Sequence, residues 1–262
     1  MLAEPTAYIG AFIMVHGTPG EDGKLQRLLE ATGLRYTTGD AQAMALTFHK
    51  GRTTAVLREA HIPVARAVHI PEGGTWSAQS LVDELGLPCF VKPNETGSSI
   101  GIHKVHVVSQ MDAAIRAALI VGGASGVIVE SLLTGREFTA GVIPSADGTP
   151  LALPVTEIST HRDFFDFAAK YEGESEETTP ANIPDVLRDR LQHRAKQVYT
   201  ATGMRGMARV DMMCETDGEP HVIEINAVPG FSEASIIPQQ AAAMGMTKTE
   251  LISRIIDQTL LA

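Results

Sequence analysis

The sequence is short of four things, and each shortage excludes a class of protein. It has two cysteines, Cys89 and Cys214, each inside an apolar, strand-like run. Two isolated buried thiols support neither a disulfide framework nor a zinc site. It lacks a surplus of positive charge: 31 acidic against 21 basic side chains leave a net charge of −10. Neither nucleic acid nor an anionic membrane is therefore expected as the main partner, although a few lysines can still hold an anion locally. It lacks an apolar run long enough to span a bilayer. Its most apolar early stretch, residues 8–15, has no basic region before it and no cleavage site after it, so it reads as a buried strand in a cytoplasmic protein. It has no internal repeats and no low-complexity tract. What is present, 262 residues with 44% hydrophobic and 20% charged side chains, is the composition of an ordinary globular protein. A chain of this length buries roughly three quarters of its unfolded surface.

The pattern along the chain is α/β. Residues 7–15 are expected to form a first strand, running into the Gly-rich turn of residues 16–23 and a helix that Gly33 ends. Strand, glycine turn and helix make one unit of a doubly wound sheet, where ligands approach helix N-termini. The spacing is not GxGxxG, so a dinucleotide site is only weakly indicated. His16 and Glu21 in the turn are candidate ligand contacts, and equally a turn histidine and a capping glutamate. Helices are expected at 40–46, 50–60, 77–85, from Ser109 as N-cap to 121, and from Pro184 to 202. Strands are expected at 64–70, 88–92, 127–133, 136–144 and 151–157, with a turn at Asp147-Gly148. Thr247 and Glu250 read as a capping box opening the last helix. Residues 159–182 read as one long irregular segment containing Lys170 and Tyr171, and loops of that length often serve as lids.

The chemistry concentrates in residues 209–226. Asp217-Gly218 is a strong two-residue turn signal. A turn there sets Asp211 opposite Glu224 and Arg209 opposite Asn226, all on one face. Ala208, Val210, Met212, Ile223 and Ile225 then form the core face. Two carboxylates opposed at about 5 Å repel, so removing one should not destabilise the protein. A hard cation such as Mg²⁺ would cancel the repulsion, with carboxylate and amide oxygens as ligands; a solvated hairpin face is the alternative.

Other candidates are individually weaker. Lys50 begins a helix where its ammonium could reach a phosphate. Lys92 ends a buried strand and precedes residues 93–101, whose small residues and two glycines let backbone N–H groups close on an anion. This is not a Walker loop, and a plain hairpin explains it too. Glu130 ends the run Gly-Val-Ile-Val-Glu, placed to accept hydroxyl or amino donors from a ligand or to face solvent.

In this order and spacing the motifs resemble the D-alanine–D-alanine ligases of the ATP-grasp group. The segments that carry the resemblance are HGTPGEDGKLQ (16–26), LPCFVKPNETGSSIGIHKV (87–105), VIVESLLTGREFT (127–139), FFDFAAKYEG (164–173) and RVDMMCETDGEPHVIEINAVPGFSEASIIPQQ (209–240). The resemblance implies an ATP-grasp fold with a partial amino-terminal α/β domain (1–38), a central subdomain with a phosphate flap (39–133), and a carboxy-terminal subdomain with the metal hairpin and lid (134–262). It implies ATP as cosubstrate and two Mg²⁺ ions, with Mn²⁺ as a substitute, held by Asp211, Glu224 and Asn226. Lys50 and Lys92 match the phosphate lysines, Glu130, Ser131 and Leu133 the adenine end, and Glu137 the ribose contact. Arg209 and Gly230 match donors near the reacting oxyanion, and Ser235 a contact to the second amino acid's carboxylate. Ser98 and Tyr171, with Lys170 beside them, match the pair that ties flap to lid. His16 and Glu21 lie near the first amino-acid subsite.

The function so implied is ATP-dependent ligation of two D-alanines for peptidoglycan, in an enzyme of homodimeric type. The family's usual opening motif, GG-x-S-x-EH-x-VS, has no counterpart after Met1, so the amino-terminal domain is expected to be truncated. Phe167 and Ala227 stand where Tyr and Thr are common. A ligase for another amino-acid pair, and a nucleotide-binding protein with little ligase activity, stay open as alternatives.

Overall fold

The computed structural model describes residues 8–97, 99–160, 175–215 and 218–261. Two antiparallel sheets organise them. The smaller has the order β1 (Ala67–Ile70), β4 (Val127–Ser131), β2 (Cys89–Pro93), β3 (His103–Val105). Its strands alternate. Cys89, Val91, Val127 and Val129 point into a core with Leu81 and Leu85 of α4 (Ala78–Leu85) and Met111, Ile115 and Ala118 of α5 (Met111–Gly122). Phe90, Lys92 and Glu130, the residues between, line a cleft on the other face.

The larger sheet has the order β10 (His221–Asn226), β9 (Ala208–Cys214), β5 (Arg136–Pro144), β7 (Thr156–Thr160), β8 (Ser175–Thr178), with β6 (Pro150–Ala152) beside β5. One face carries Phe138, Ala140, Val142, Val210, Met212, Val222 and Ile225. They pack on Leu191, Ala195 and Val198 of α6 (Asp185–Ala201), and on Met44 and Leu57 of α2 (Ala41–Phe48) and α3 (Lys50–Glu59). The opposite face carries Glu137, Thr139, Arg209, Asp211, Glu224 and Asn226, aligned across the strands by register. At one end it is covered by α7 (Ile236–Ala243) and α8 (Lys248–Leu261), which bury Ile143, Leu153, Ile237 and Leu251. At the other end it opens into the cleft.

Local chemistry explains the helix starts. Asp40 accepts from the backbone N–H groups of Gln42 and Ala43, and Ser77 from Ser80. Thr247 and Glu250 form the expected capping box, with Thr247 N–H donating to Glu250 Oε2 at 2.7 Å and Glu250 N–H to Thr247 Oγ1 at 3.2 Å. Gly33 closes α1 (Lys24–Thr32) with φ 70°.

Several sequence expectations are corrected. Residues 8–15 do not form a strand: only Ala11 pairs, in one parallel bridge with Tyr36, and Tyr8, Ile9, Phe12 and Val15 are exposed. The doubly wound unit is thus reduced to a bridge on either side of α1. The hairpin turn is longer than two residues. Pairing across the hairpin stops at Met213 and His221, Gly218 N–H donates to Glu215 O, and Gly218 has no left-handed φ. The register of Asp211 with Glu224 and Arg209 with Asn226 holds because a bulge between Val222 and Glu224 absorbs the difference. The bulge puts Val222 in the core and Ile223 against the cleft, the reverse of what simple alternation assigns. Ser109 lies in a 3₁₀ turn (Val108–Gln110), and Gln110 stands at the start of α5. Residues 151–157 divide between β6 and β7. The segment 159–182 is not irregular throughout, because β8 pairs with β7. Ser98, Lys170 and Tyr171, with the middle of the expected lid and Phe167, lie outside the described residues.

Candidate active site

The cleft between the sheets holds about 600 Å³. On its smaller-sheet side Lys92 Nζ meets Glu130 Oε2 at 2.6 Å. Burial works against the ammonium, but Glu130, and behind it Glu224 and Glu137, more than offset this, so the Lys92 pKa stands above its ordinary value. The lysine and the acid that the resemblance assigns to different parts of a nucleotide are therefore bonded to each other.

Lys50 opens α3 and its Nζ donates to Thr96 O at 2.7 Å, which brings a second ammonium to residues 93–101. Asn94, fully buried, fixes this junction: its Oδ1 accepts from Gly51 N–H at 2.9 Å and its Nδ2 donates to Ser125 O at 2.8 Å. His49, the N-cap of α3, accepts from Arg52 N–H through Nδ1. Burial, then the charge of Arg52, holds its pKa down at about 4.

Ser131, Leu133 and Glu137 line the same cleft. The segment they span is pinned to the far end of the hairpin of β9 and β10. Gly135 has φ 122°, a Cβ there would stand 2.5 Å from Cys214 O, and Thr134 Oγ1 donates to Glu215 Oε1 at 2.9 Å. Phe90, Ile102, Met213 and Ile223 supply apolar walls that sequence reasoning did not single out. Alternation along residues 88–92 puts Phe90 on the face of Lys92 and was the available signal; nothing local marks Met213 or the bulged Ile223.

Opposite stands the hairpin. Asp211 is 4% exposed, and its two oxygens accept four hydrogen bonds from described residues. Thr139 Oγ1 donates to Oδ1 at 2.5 Å and Arg209 Nε to Oδ1 at 2.8 Å. Arg209 Nη2 donates to Oδ2 at 2.7 Å and Asn226 Nδ2 to Oδ2 at 2.8 Å. Burial opposes the guanidinium charge, but Asp211, then Glu224 and Glu177, outweigh it and raise its pKa. The expected repulsion of Asp211 by Glu224 is thus answered within the protein by Arg209. Against the expectation from sequence, removing Asp211 should therefore cost stability, because the buried guanidinium would lose both of these bonds.

Thr139 was missed by sequence reading, as was Gln240. Gln240 is fully buried on α7, accepts from Gly141 N–H at 2.8 Å, and donates to Thr139 O and Thr156 Oγ1, each at 3.0 Å.

The remaining candidates gather beside the hairpin rather than in the cleft. Glu21 accepts from Gly17 N–H at 2.6 Å and from Val228 N–H at 3.3 Å, joining the 16–23 turn to the loop that follows β10. Ser235 Oγ accepts from Ser232 N–H at 3.0 Å, and a Cβ on Gly230 would lie 2.9 Å from it, so Gly230 and Ser235 are neighbours. His16 is exposed. Among the described residues no three His, Cys, Asp or Glu side chains converge on a point.

Residues 56–257 match the family model described as the D-ala D-ala ligase C-terminus. The chain belongs to the D-alanine–D-alanine ligase family. A D-alanine–D-alanine ligase from Parabacteroides distasonis is 39% identical over 250 residues, which are 95% of this chain and 75% of that protein. One from Christiangramia forsetii is 41% identical over 249 residues, again 95% and 75%. Among solved structures, the VanG D-Ala:D-Ser ligase of Enterococcus faecalis superposes with a TM-score of 0.84 at 31% identity, covering 95% of this chain and 72% of that one. The ATP complex of a Bacillus anthracis D-alanine–D-alanine ligase superposes with a TM-score of 0.82 at 26% identity, covering 99% and 84%. The fold of this family member is therefore ATP-grasp. Among the described residues no helix is long and apolar enough to cross a membrane.

Proposed function

We propose that the chain joins two D-alanines, using ATP and passing through an acyl phosphate, to supply D-alanyl-D-alanine for peptidoglycan synthesis. The observation that carries this reading is one cleft with Lys50 and Lys92 on one side and Asp211 and Glu224 on the other, Asn226 sharing the hairpin face. Residues 39–133 are the nucleotide-binding part and residues 134–262 the part with the hairpin and lid.

Lys50 and Lys92 hold the phosphates as point charges. Glu130, Ser131 and Leu133 receive the adenine end and Glu137 the ribose. Asp211, Glu224 and Asn226 offer oxygen donors only, which fits Mg²⁺ and also Mn²⁺, and fits neither zinc nor a soft metal. Bound there, Mg²⁺ would neutralise the charge that builds on the transferred phosphoryl group. The first substrate's carboxylate attacks the γ-phosphate of ATP, breaking its bond to the β-phosphate and releasing ADP, and the second substrate's amine then displaces phosphate from the acyl phosphate, losing a proton, to form the amide. Arg209 and the Gly230 N–H steady the oxyanion of that second step. Ser235 orients the carboxylate of the second amino acid, His16 and Glu21 border the first, and Ser98, Tyr171 and Lys170 close flap on lid to exclude water.

The test is phosphate release from ATP and Mg²⁺ with D-alanine, D-serine and L-alanine supplied separately and in pairs. D-alanine alone should support full turnover and the dipeptide should appear by mass spectrometry. ATP binding without turnover at saturating D-alanine would leave a nucleotide-binding protein. A product containing D-serine formed in preference would shift the acceptor.

A further inference from the structure

Asp211 accepts as many hydrogen bonds as a carboxylate has lone-pair sites, about four. A cation can take one of its oxygens only if a donor leaves. Among the described residues three partners compete for the choice. Thr139 is an uncharged hydroxyl on β5, the neighbouring strand. Asn226 donates through Nδ2, which leaves its Oδ1 for the same cation. Arg209 holds both oxygens through Nε and Nη2, and of these three described partners it is the one with a positive charge that a divalent cation at the same carboxylate would repel.

We propose that Arg209 is the exchange partner of the metal: it occupies the lone pairs of Asp211 that Mg²⁺ takes, so that metal entry and release of the guanidinium toward the reacting oxyanion are one event. The inference rests on the proposed ligase reading and deepens it, since it makes the oxyanion donor available only after the metal is seated. The exchange breaks no covalent bond and moves no proton. The released guanidinium stays in an acidic setting, because Glu224 on β10 and Glu177 on β8 also favour its charge.

The experiment measures Mn²⁺ binding to the full chain with saturating ADP, from the electron paramagnetic resonance signal of free Mn²⁺. Arg209→Gln, Arg209→Lys and Asp211→Asn are compared with the wild type. Arg209→Gln should bind Mn²⁺ at least about tenfold more tightly, the equivalent of one charge-assisted hydrogen bond released. Arg209→Lys keeps the charge but not the two-pronged grip, and it should also tighten, by a smaller factor. Wild-type affinity in Arg209→Lys would reduce the effect to simple charge and overturn the exchange. Mn²⁺ binding indifferent to Asp211→Asn would instead reject the metal assignment. A second measurement needs no variant: in a crystal structure with Mg²⁺ and ADP, Arg209 should no longer hold both Asp211 oxygens, and its retention there would overturn the proposal.

Discussion

Gln240→Met tests how α7 supports the site without touching it. The side chain is fully buried and joined to β5 and β7 by three bonds: from Gly141 N–H, to Thr139 O and to Thr156 Oγ1. Methionine keeps the length and approximate volume, so little cavity or transfer cost arises. What changes is hydrogen bonding. Thr156 Oγ1 retains Thr179 Oγ1 at 2.6 Å and loses little. Gly141 N–H and Thr139 O lose buried partners, and each unsatisfied group costs about 1–3 kcal/mol, less for the carbonyl. The sum is about 3 kcal/mol, a large part of the stability of an ordinary domain. Water cannot easily replace the amide. A Cβ placed on Gly141 would already meet Ile237 Cδ1 at 2.4 Å and Gln240 Oε1 at 2.7 Å, so the interface between β5 and α7 is closed. Urea unfolding followed by far-UV circular dichroism is the assay, with the slope expected to be unchanged and the midpoint lowered. A loss below about 0.5 kcal/mol would show that the amide bonds are dispensable. It would also break the argument that α7 fixes the strand on which Thr139 holds Asp211.

Three further outcomes are expected. Asp211→Ala should destabilise the protein by about 1–3 kcal/mol as well as stop turnover, because the buried Arg209 loses its two-pronged hydrogen bonds and keeps only the charge of Glu224 and Glu177, whereas Glu224→Ala should stop turnover at a cost of about 1 kcal/mol or less; equal unfolding midpoints would refute this. Breaking the buried Lys92–Glu130 pair by Lys92→Met should cost about 3–5 kcal/mol, and adding Glu130→Gln should recover part of it; strict additivity in a double-mutant cycle would show that the 2.6 Å contact carries no coupling. His49 takes up a proton near pH 6.5 in the unfolded chain but only near 4 in the folded one. Stability should therefore fall as pH drops from about 6.5 to 4, by up to about 3 kcal/mol, and His49→Asn, which keeps an N-cap side chain, should flatten that part of the pH profile.

How much of this was legible in the sequence depends on the range over which each feature is determined. The helix starts at Asp40, Ser77 and Thr247 are set by residues within one turn, and they are where the capping residues put them. The pairing of Asp211 with Glu224 was also legible, but for a reason that was only partly right. The turn is longer than Asp217-Gly218 suggests, and a bulge at Ile223 returns the register to the expected one at the end where the polar residues stand. Alternation is a period-two signal, and one inserted residue reverses it; a bulge leaves no mark in composition.

The first strand failed differently. Residues 8–15 are apolar enough for a strand, yet a strand needs a neighbour, and Ala11 finds only Tyr36. Least legible were the partners of the site residues. Thr139 and Gln240 lie about 70 and 30 residues from Asp211 in sequence; Thr139 reaches it only because β5 pairs with β9, and Gln240 acts through Thr139 only because α7 closes over β5. Charge repulsion between opposed carboxylates pointed to a hard cation. Arg209 sits two residues from Asp211, on the same face of the same strand, and answers that repulsion within the chain.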